Sequence, residues 1–169
     1  MSINSFKGTD FGIEVENQEE LADLSEYEKY NINELEVGIE LTGRPFVMYF
    51  KNGEGDERTY ESMRLQIIND KDEEVVNIYC NIPLGYPIVK NIRKNNGFFK
   101  NTYNLIVDMF HVDKTLDDTV FYDSNGELKN TIKKINIKQI MDYINTKEEM
   151  KIKVIENDNY NSFRVLSLK

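Results

Sequence analysis

The sequence predicts a β-rich α+β chain, an antiparallel barrel or curved sheet with inserted helices. Segments of two-residue apolar alternation recur between positions 34 and 82 and again from 150 to 168, the period of half-buried strands. Stretches with helical spacing lie between them, at 86–112 and 137–144, and Gly, Asn, Asp and Pro separate the segments. The 169 residues match the usual size of one domain, and 40% hydrophobic content is enough for a core that folds without staples.

From Ser2 to Asn33 the pattern is irregular and acidic. Gln18–Tyr30 places Leu21, Leu24 and Tyr27 at i, i+3 and i+6 among mostly Glu neighbours, so residues 1–33 are expected to be an acidic arm or a short solvated helix. Residues 34–169 are expected to form a single domain. Glu34–Leu41 alternates Leu35, Val37, Ile39 and Leu41, Thr42-Gly43 offers a turn, and Pro45–Phe50 returns as a second strand. The glycines of Asn52–Asp56 supply the next loop. Tyr60–Asn69 sets Met63, Leu65 and Ile67 on one face, and Val75–Ile82 sets Val76, Ile78, Cys80 and Ile82 on another, a hairpin closed by Asp70–Glu74. Pro83, Gly85 and Pro87 end it. Tyr86–Asn96 and Phe98–Val112 read as two helices joined at Asn96-Gly97, and Asp123–Gly126 as a turn. Ile137, Ile140, Met141 and Ile144 make a further helix face, and Met150–Glu156 and Ser162–Leu168 close the chain as a strand pair around Asn157–Asn159. This order is compatible with an OB-like barrel interrupted by a helical insertion.

Net charge is −9, which opposes a polyanionic partner if spread evenly. It is not. Residues 1–62 carry five Lys/Arg against fifteen Asp/Glu, whereas residues 63–169 carry sixteen against fifteen. Ile88–Asn104 holds Lys90, Arg93, Lys94 and Lys100 with no acid, and Lys129–Lys153 holds seven lysines against Asp142, Glu148 and Glu149. The abundant Asn, Lys and Ile point to an AT-rich gene. Met1–Asp10 has no apolar run of signal-peptide length, and no stretch approaches the roughly 18 apolar residues of a membrane span. A cytoplasmic protein without membrane attachment is expected. The lone Cys80, in an apolar alternating stretch, is expected to be a buried, reduced thiol.

Nothing in the sequence marks an enzyme. His111 is the only histidine and ends an apolar helical stretch, with Asp108 and Asp113 near it only in sequence. One His and one Cys cannot assemble a zinc site, so no metal or other cofactor is expected. The pairs Asp70/Asp72, Asp117/Asp118 and Asp56/Glu57 fall in turns, not on converging strands as two-metal chemistry requires, and nothing singles out Lys51 or Glu61 for such a site. GxxxxGK[ST], GxGxxG and GxSxG are absent.

What remains is an interleaving of cations and aromatics: Lys90, Arg93, Lys94, Phe98, Phe99, Lys100 and Tyr103. Single-strand binders combine a cationic track for phosphates with aromatic faces for bases, about 1–3 kcal/mol per stacked base. Phe99, Tyr103, Ile106 and Phe110 at helical spacing fit a core stripe equally well. Tyr79 and Tyr49 lie on strands between residues of opposite parity, which lets one of them point off the core face.

Ile137–Leu168, reading IKQIMDYINTKEEMKIKVIENDNYNSFRVLSL, resembles the last helix and strand pair of divergent OB-fold single-stranded-DNA-binding proteins of phages and mobile elements, where a KIKVIE-type strand is followed by a YNSFRV-type return. The hairpin Tyr60–Ile82 resembles them less closely. The resemblance implies binding of single-stranded DNA, or RNA, without strong sequence preference. Lys90, Arg93, Lys94, Lys100 and Arg164 are then the candidate phosphate contacts, and Tyr79, Phe98, Tyr103 and Tyr160 the candidate stacking residues. The chain departs from that family in carrying its acidity at the N-terminal side and not in a C-terminal tail, which leaves recruitment of protein partners open. A second reading is an acidic protein-binding module of phage type, whose Glu-rich residues 14–61 imitate a nucleic-acid backbone toward a basic host protein.

Overall fold

The computed structural model describes residues 24–51, 60–83, 88–89, 92–94, 97–113, 115–116, 124–125, 131–132 and 135–169. In chain order the elements are β1 (Glu28–Asn31), a 3-10 turn (Ile32–Glu34), β2 (Glu40–Lys51), β3 (Tyr60–Asn69), β4 (Glu74–Pro83), β5 (Ile88–Val89), β6 (Ile92–Arg93), a second 3-10 turn (Gly97–Phe99), α1 (Lys100–Val112), β7 (Thr131–Ile132), β8 (Ile135–Asn136), α2 (Ile137–Asn145), β9 (Met150–Asn157) and β10 (Tyr160–Leu168).

The expected hairpin forms with the expected faces. Met63 lies opposite Cys80, Leu65 opposite Ile78 and Ile67 opposite Val76, and all six are buried. Cys80 has no exposure, and burial pushes its thiol pKa far upward. The closing pair β9–β10 also forms, with Phe163 opposite Val154 and Val165 opposite Ile152. Helix α2 buries Ile137, Ile140, Met141 and Ile144, and the Asn136 side chain caps it by accepting from the Gln139 N–H at 3.2 Å.

The first predicted hairpin does not form. Residues 40–51 run as one strand through Thr42-Gly43, pairing with β9 at Glu40–Gly43 and with β3 at Arg44–Lys51. Gly43 marks the exchange of partners: a Cβ there would meet the Ile68 carbonyl oxygen at 2.6 Å. Its missing side chain permits close backbone approach, not a turn. The turn lies earlier, at Gly38 with φ 98°, and Val37, a predicted strand residue, is exposed.

The acidic arm also ends earlier than expected. Residues 18–23 of the expected helix fall outside the described residues, but from Leu24 the chain turns into β1, which pairs parallel with β4. Leu24 and Ile32 are core residues, so the helical reading of residues 24–30 and the boundary at 33 are corrected: burying two large apolar side chains outweighs the weak helical spacing between charged neighbours. The helix expected over Tyr86–Asn96 is corrected too, because Ile88–Val89 pairs with β8 and Ile92–Arg93 with β7. The Asn52–Asp56 loop and Asp117/Asp118 lie outside the described residues, and only Ser124 and Asn125 of the turn at 123–126 are described.

The main sheet has six strands in the order β1-β4-β3-β2-β9-β10. It is mixed, and it is not closed into a barrel, so an all-antiparallel closed barrel is excluded. Flat, the four spacings from β4 to β10 would separate them by about 19 Å. Helix α1 nevertheless hydrogen-bonds to both, and a helix is only about 10 Å wide. The sheet therefore curls around a core formed by Val47, Tyr49, Met63, Leu65, Ile152 and Phe163, with α1 bridging the two ends where strand pairing would close a barrel.

Edge groups of the open seam are met by side chains. On β10 the Asn161 N–H donates to Asn33 Oδ1 (2.8 Å), the Phe163 carbonyl accepts from Asn104 Nδ2 (3.1 Å), and the Val165 N–H donates to Asp108 Oδ2 (2.9 Å). On β4, beyond the reach of β1, the Tyr79 carbonyl accepts from Asn101 Nδ2 (2.9 Å) and the Asn81 carbonyl from Thr102 Oγ1 (2.5 Å). Unpaired edge groups invite association, and these contacts blunt both edges.

Candidate functional site

The seam is not sealed along its whole length. Where β4 leaves β1, its outward residues Tyr79 and Asn81 face the second 3-10 turn, the first turn of α1, the start of β10 and the end of β1. A cleft of about 250 Å³ opens there, lined by Asn31, Ile32, Asn33, Tyr79, Asn81, Gly97, Phe98, Asn101, Tyr160 and Asn161. The walls hold no charged side chain.

Each wall has a local cause. Asn31 caps the first 3-10 turn, accepting from the Asn33 N–H at 2.9 Å while its own N–H donates to Glu34 Oε1 at 2.9 Å. Asn161 Nδ2 donates to the Ile32 and Leu35 carbonyls at 3.0 and 2.7 Å, tying β10 to that turn. Asn81 donates through Nδ2 to the Phe98 carbonyl (3.1 Å) and accepts from Ser62 Oγ (2.8 Å). Asn101 accepts from Ser162 Oγ while bonding the Tyr79 carbonyl. The carboxamides of Asn81 and Asn101 are thus used at both ends to hold the walls. Among the described residues the side chains of Asn31 and Asn33 bond only through their oxygens.

The aromatic side chains present ring surface to solvent: Tyr79 is 45% exposed, Phe98 45% and Tyr160 40%. Tyr160 donates its hydroxyl to the Gly97 carbonyl at 2.6 Å, which pins its ring. Phe98 stands edge-on to Phe99 with centroids 5.0 Å apart. Fixed aromatic faces with amides between them suit a flat, polar-edged ligand, which stacks on the rings and hydrogen-bonds at its rim.

Of the residues proposed from the sequence, Tyr79, Phe98 and Tyr160 come together in this cleft. Lys100 opens α1 beside Asn101; its ammonium donates to the Lys94 carbonyl at 3.4 Å and lies 6.0 Å from the Tyr103 ring centroid. Desolvation, then the like charges of Lys94 and Arg164, lower its pKa. Arg93 is exposed on β6 and Lys94 half-buried beside it. Lys90 lies outside the described residues. One assignment is corrected. Tyr103 is 2% exposed, packed in the core by α1, so its ring offers no stacking face. Arg164 forks onto Asp108, with Nε to Oδ2 at 2.7 Å and Nη2 to Oδ1, so its charge is already paired. Sequence reasoning missed the asparagines, because attributing Asn to base composition hides any role for individual residues. Their one local signal was the Asn-x-Asn of residues 31–33 before a Glu, a capping pattern.

Among the described residues no cluster of His, Cys, Asp or Glu is placed to hold a metal ion, and no helix is long and apolar enough to cross a membrane. Comparison with protein-family models, curated proteins and solved structures finds no match to this chain.

Proposed function

We propose that this protein binds single-stranded nucleic acid without strong sequence preference, with a base held in the cleft between Tyr79, Phe98 and Tyr160. The observation that carries the reading is this convergence of exposed aromatic residues from β4, the second 3-10 turn and β10 in one uncharged, amide-lined cleft. Every base has a π-face, so stacking tolerates any sequence, and a duplex hides the faces that stacking needs. Lys94 and Lys100 flank the cleft on the α1 side and supply phosphate contacts. In the same reading the curled sheet is an open relative of the OB-like barrel, with α1 in the closing position.

The net charge of −9 weakens long-range attraction, so binding is moderate and strongly salt-dependent. The test is a fluorescence-anisotropy titration of labelled oligo-dT and of a matched duplex. Binding of the single strand, weaker binding of the duplex, and at least tenfold loss in a Phe98→Ala, Tyr160→Ala double variant support the reading. No anisotropy change at micromolar protein and low salt overturns it, and the acidic-module reading then leads.

A further inference from the structure

Arg64 lies on the face of β3 that carries Ser62 and Gln66, directly opposite Tyr79 on β4 and Met48 on β2. Ser62, Gln66 and Met48 are buried there, whereas Arg64 is half-buried and Tyr79 exposed. Its guanidinium sits over the Phe50 ring at 4.5 Å, and Nη2 approaches Met48 Sδ at 3.2 Å, a weak acceptor. Its Nε is buried with no hydrogen-bond partner. Arg44 and Arg164 are each paired with an aspartate, whereas no ion pair involves Arg64 among the described residues. The flanking cross-strand pairs are neutral: Ser62 donates to Asn81 and Gln66 to Asn77, at 2.8 and 3.0 Å. Gln66 Oε1 is also buried without a partner.

A half-buried guanidinium without a counter-ion carries a desolvation cost that the Phe50 ring and the Met48 sulfur offset only in part. The planar fork is the side chain best suited to a phosphate, and here the Phe50 ring orients it. Opposed residues on neighbouring strands have Cβ atoms about 5 Å apart. A group stacked on Tyr79 therefore carries its phosphate within reach of Arg64.

We propose that Arg64 is an anion-binding residue of this protein, holding a phosphate of the strand whose base occupies the cleft, so that the strand passes from Lys94 and Lys100 over the cleft and across Tyr79 to Arg64. This rests on the nucleic-acid reading above and adds to it a binding residue and a path. It also accounts for an arginine kept on an otherwise neutral, amide-rich face.

The test compares oligo-dT titrations over a range of salt for the wild-type chain, Arg64→Gln, Arg64→Lys and Tyr79→Ala, with thermal melts run in parallel. Losing one phosphate contact lowers the slope of log K against log salt by about 0.7. Arg64→Gln is expected to show that loss with about tenfold weaker binding. Arg64→Lys keeps charge and alkyl stem, so its slope stays while affinity falls several-fold with the lost fork. Tyr79→Ala weakens binding with the slope unchanged, because stacking releases no counter-ions. A wild-type slope in a folded Arg64→Gln, or wild-type affinity in Arg64→Lys, overturns the proposal and leaves the nucleic-acid reading standing. Failure of the wild-type chain to bind oligo-dT overturns both.

Discussion

Asn145, the last residue of α2, pairs its carboxamide with both backbone groups of Val47. The Val47 N–H donates to Oδ1 at 2.7 Å, and Nδ2 donates to the Val47 carbonyl at 3.0 Å. Beyond Gly43 strand β2 has lost β9 as a partner, and this one side chain stands in for the missing strand. Asn145→Ala leaves a donor and an acceptor on a buried residue without partners, at about 1–3 kcal/mol each. Asn145→Asp keeps the acceptor and is expected to fall between wild type and alanine. Urea melts of the three proteins check the order.

Asp108 and Arg164 are expected to matter for stability. Asp108 is 5% exposed and accepts from both Arg164 and the Val165 N–H, while Arg164 is 47% exposed. Removing the arginine strands a buried carboxylate, whereas removing the carboxylate frees an arginine that water can solvate. Arg164→Ala is therefore expected to destabilise by about 3 kcal/mol, at the low end for a broken buried pair. The double variant Asp108→Asn, Arg164→Ala should be less destabilised than the sum of the single changes. Oligo-dT binding should keep the wild-type salt slope in folded Arg164→Ala.

Gly43→Ala drives a Cβ into the Ile68 carbonyl, with 2.6 Å available. Both partners are backbone within a paired sheet, so neither yields cheaply, and a loss of about 1–3 kcal/mol is expected. If Thr42-Gly43 were a hairpin turn, alanine would be tolerated far better. Melting temperatures of the two chains decide between these outcomes.

Acid stability should depend on Asp113. Hydrogen bonds from Thr115, then the Tyr143 hydroxyl, hold its carboxyl at a pKa of about 2. A depressed carboxylate stabilises the fold above its unfolded pKa of about 3.9, and that contribution is lost as pH falls through about 2. Asp113→Asn should therefore lower stability at neutral pH and flatten the decline between pH 4 and 2. Tyr143→Phe should do so more weakly. Denaturant titrations at stepped pH measure both.

Local periodicity by itself determined the strand hairpin at 60–82, the closing pair at 150–168, the buried face of α2 and the burial of Cys80. Each depends on residues two or four apart, where alternation or a helical stripe sorts apolar from polar. Strand parity also marked Tyr79 and the interleaving of cations with aromatics marked Phe98, while Tyr160 came only with the resemblance of residues 137–168. Only the tertiary structure decided that these three share a cleft, that Tyr103 is core, and that Arg164 is paired while Arg64 is not. Those outcomes rest on contacts between distant segments, such as Asn161 with Ile32 and Tyr160 with Gly97. Gly43 reads as a turn in one dimension because a missing side chain says only that something needs room. Whether a tight bend or an approaching strand needs it is settled when β3 and β9 meet β2 at that residue.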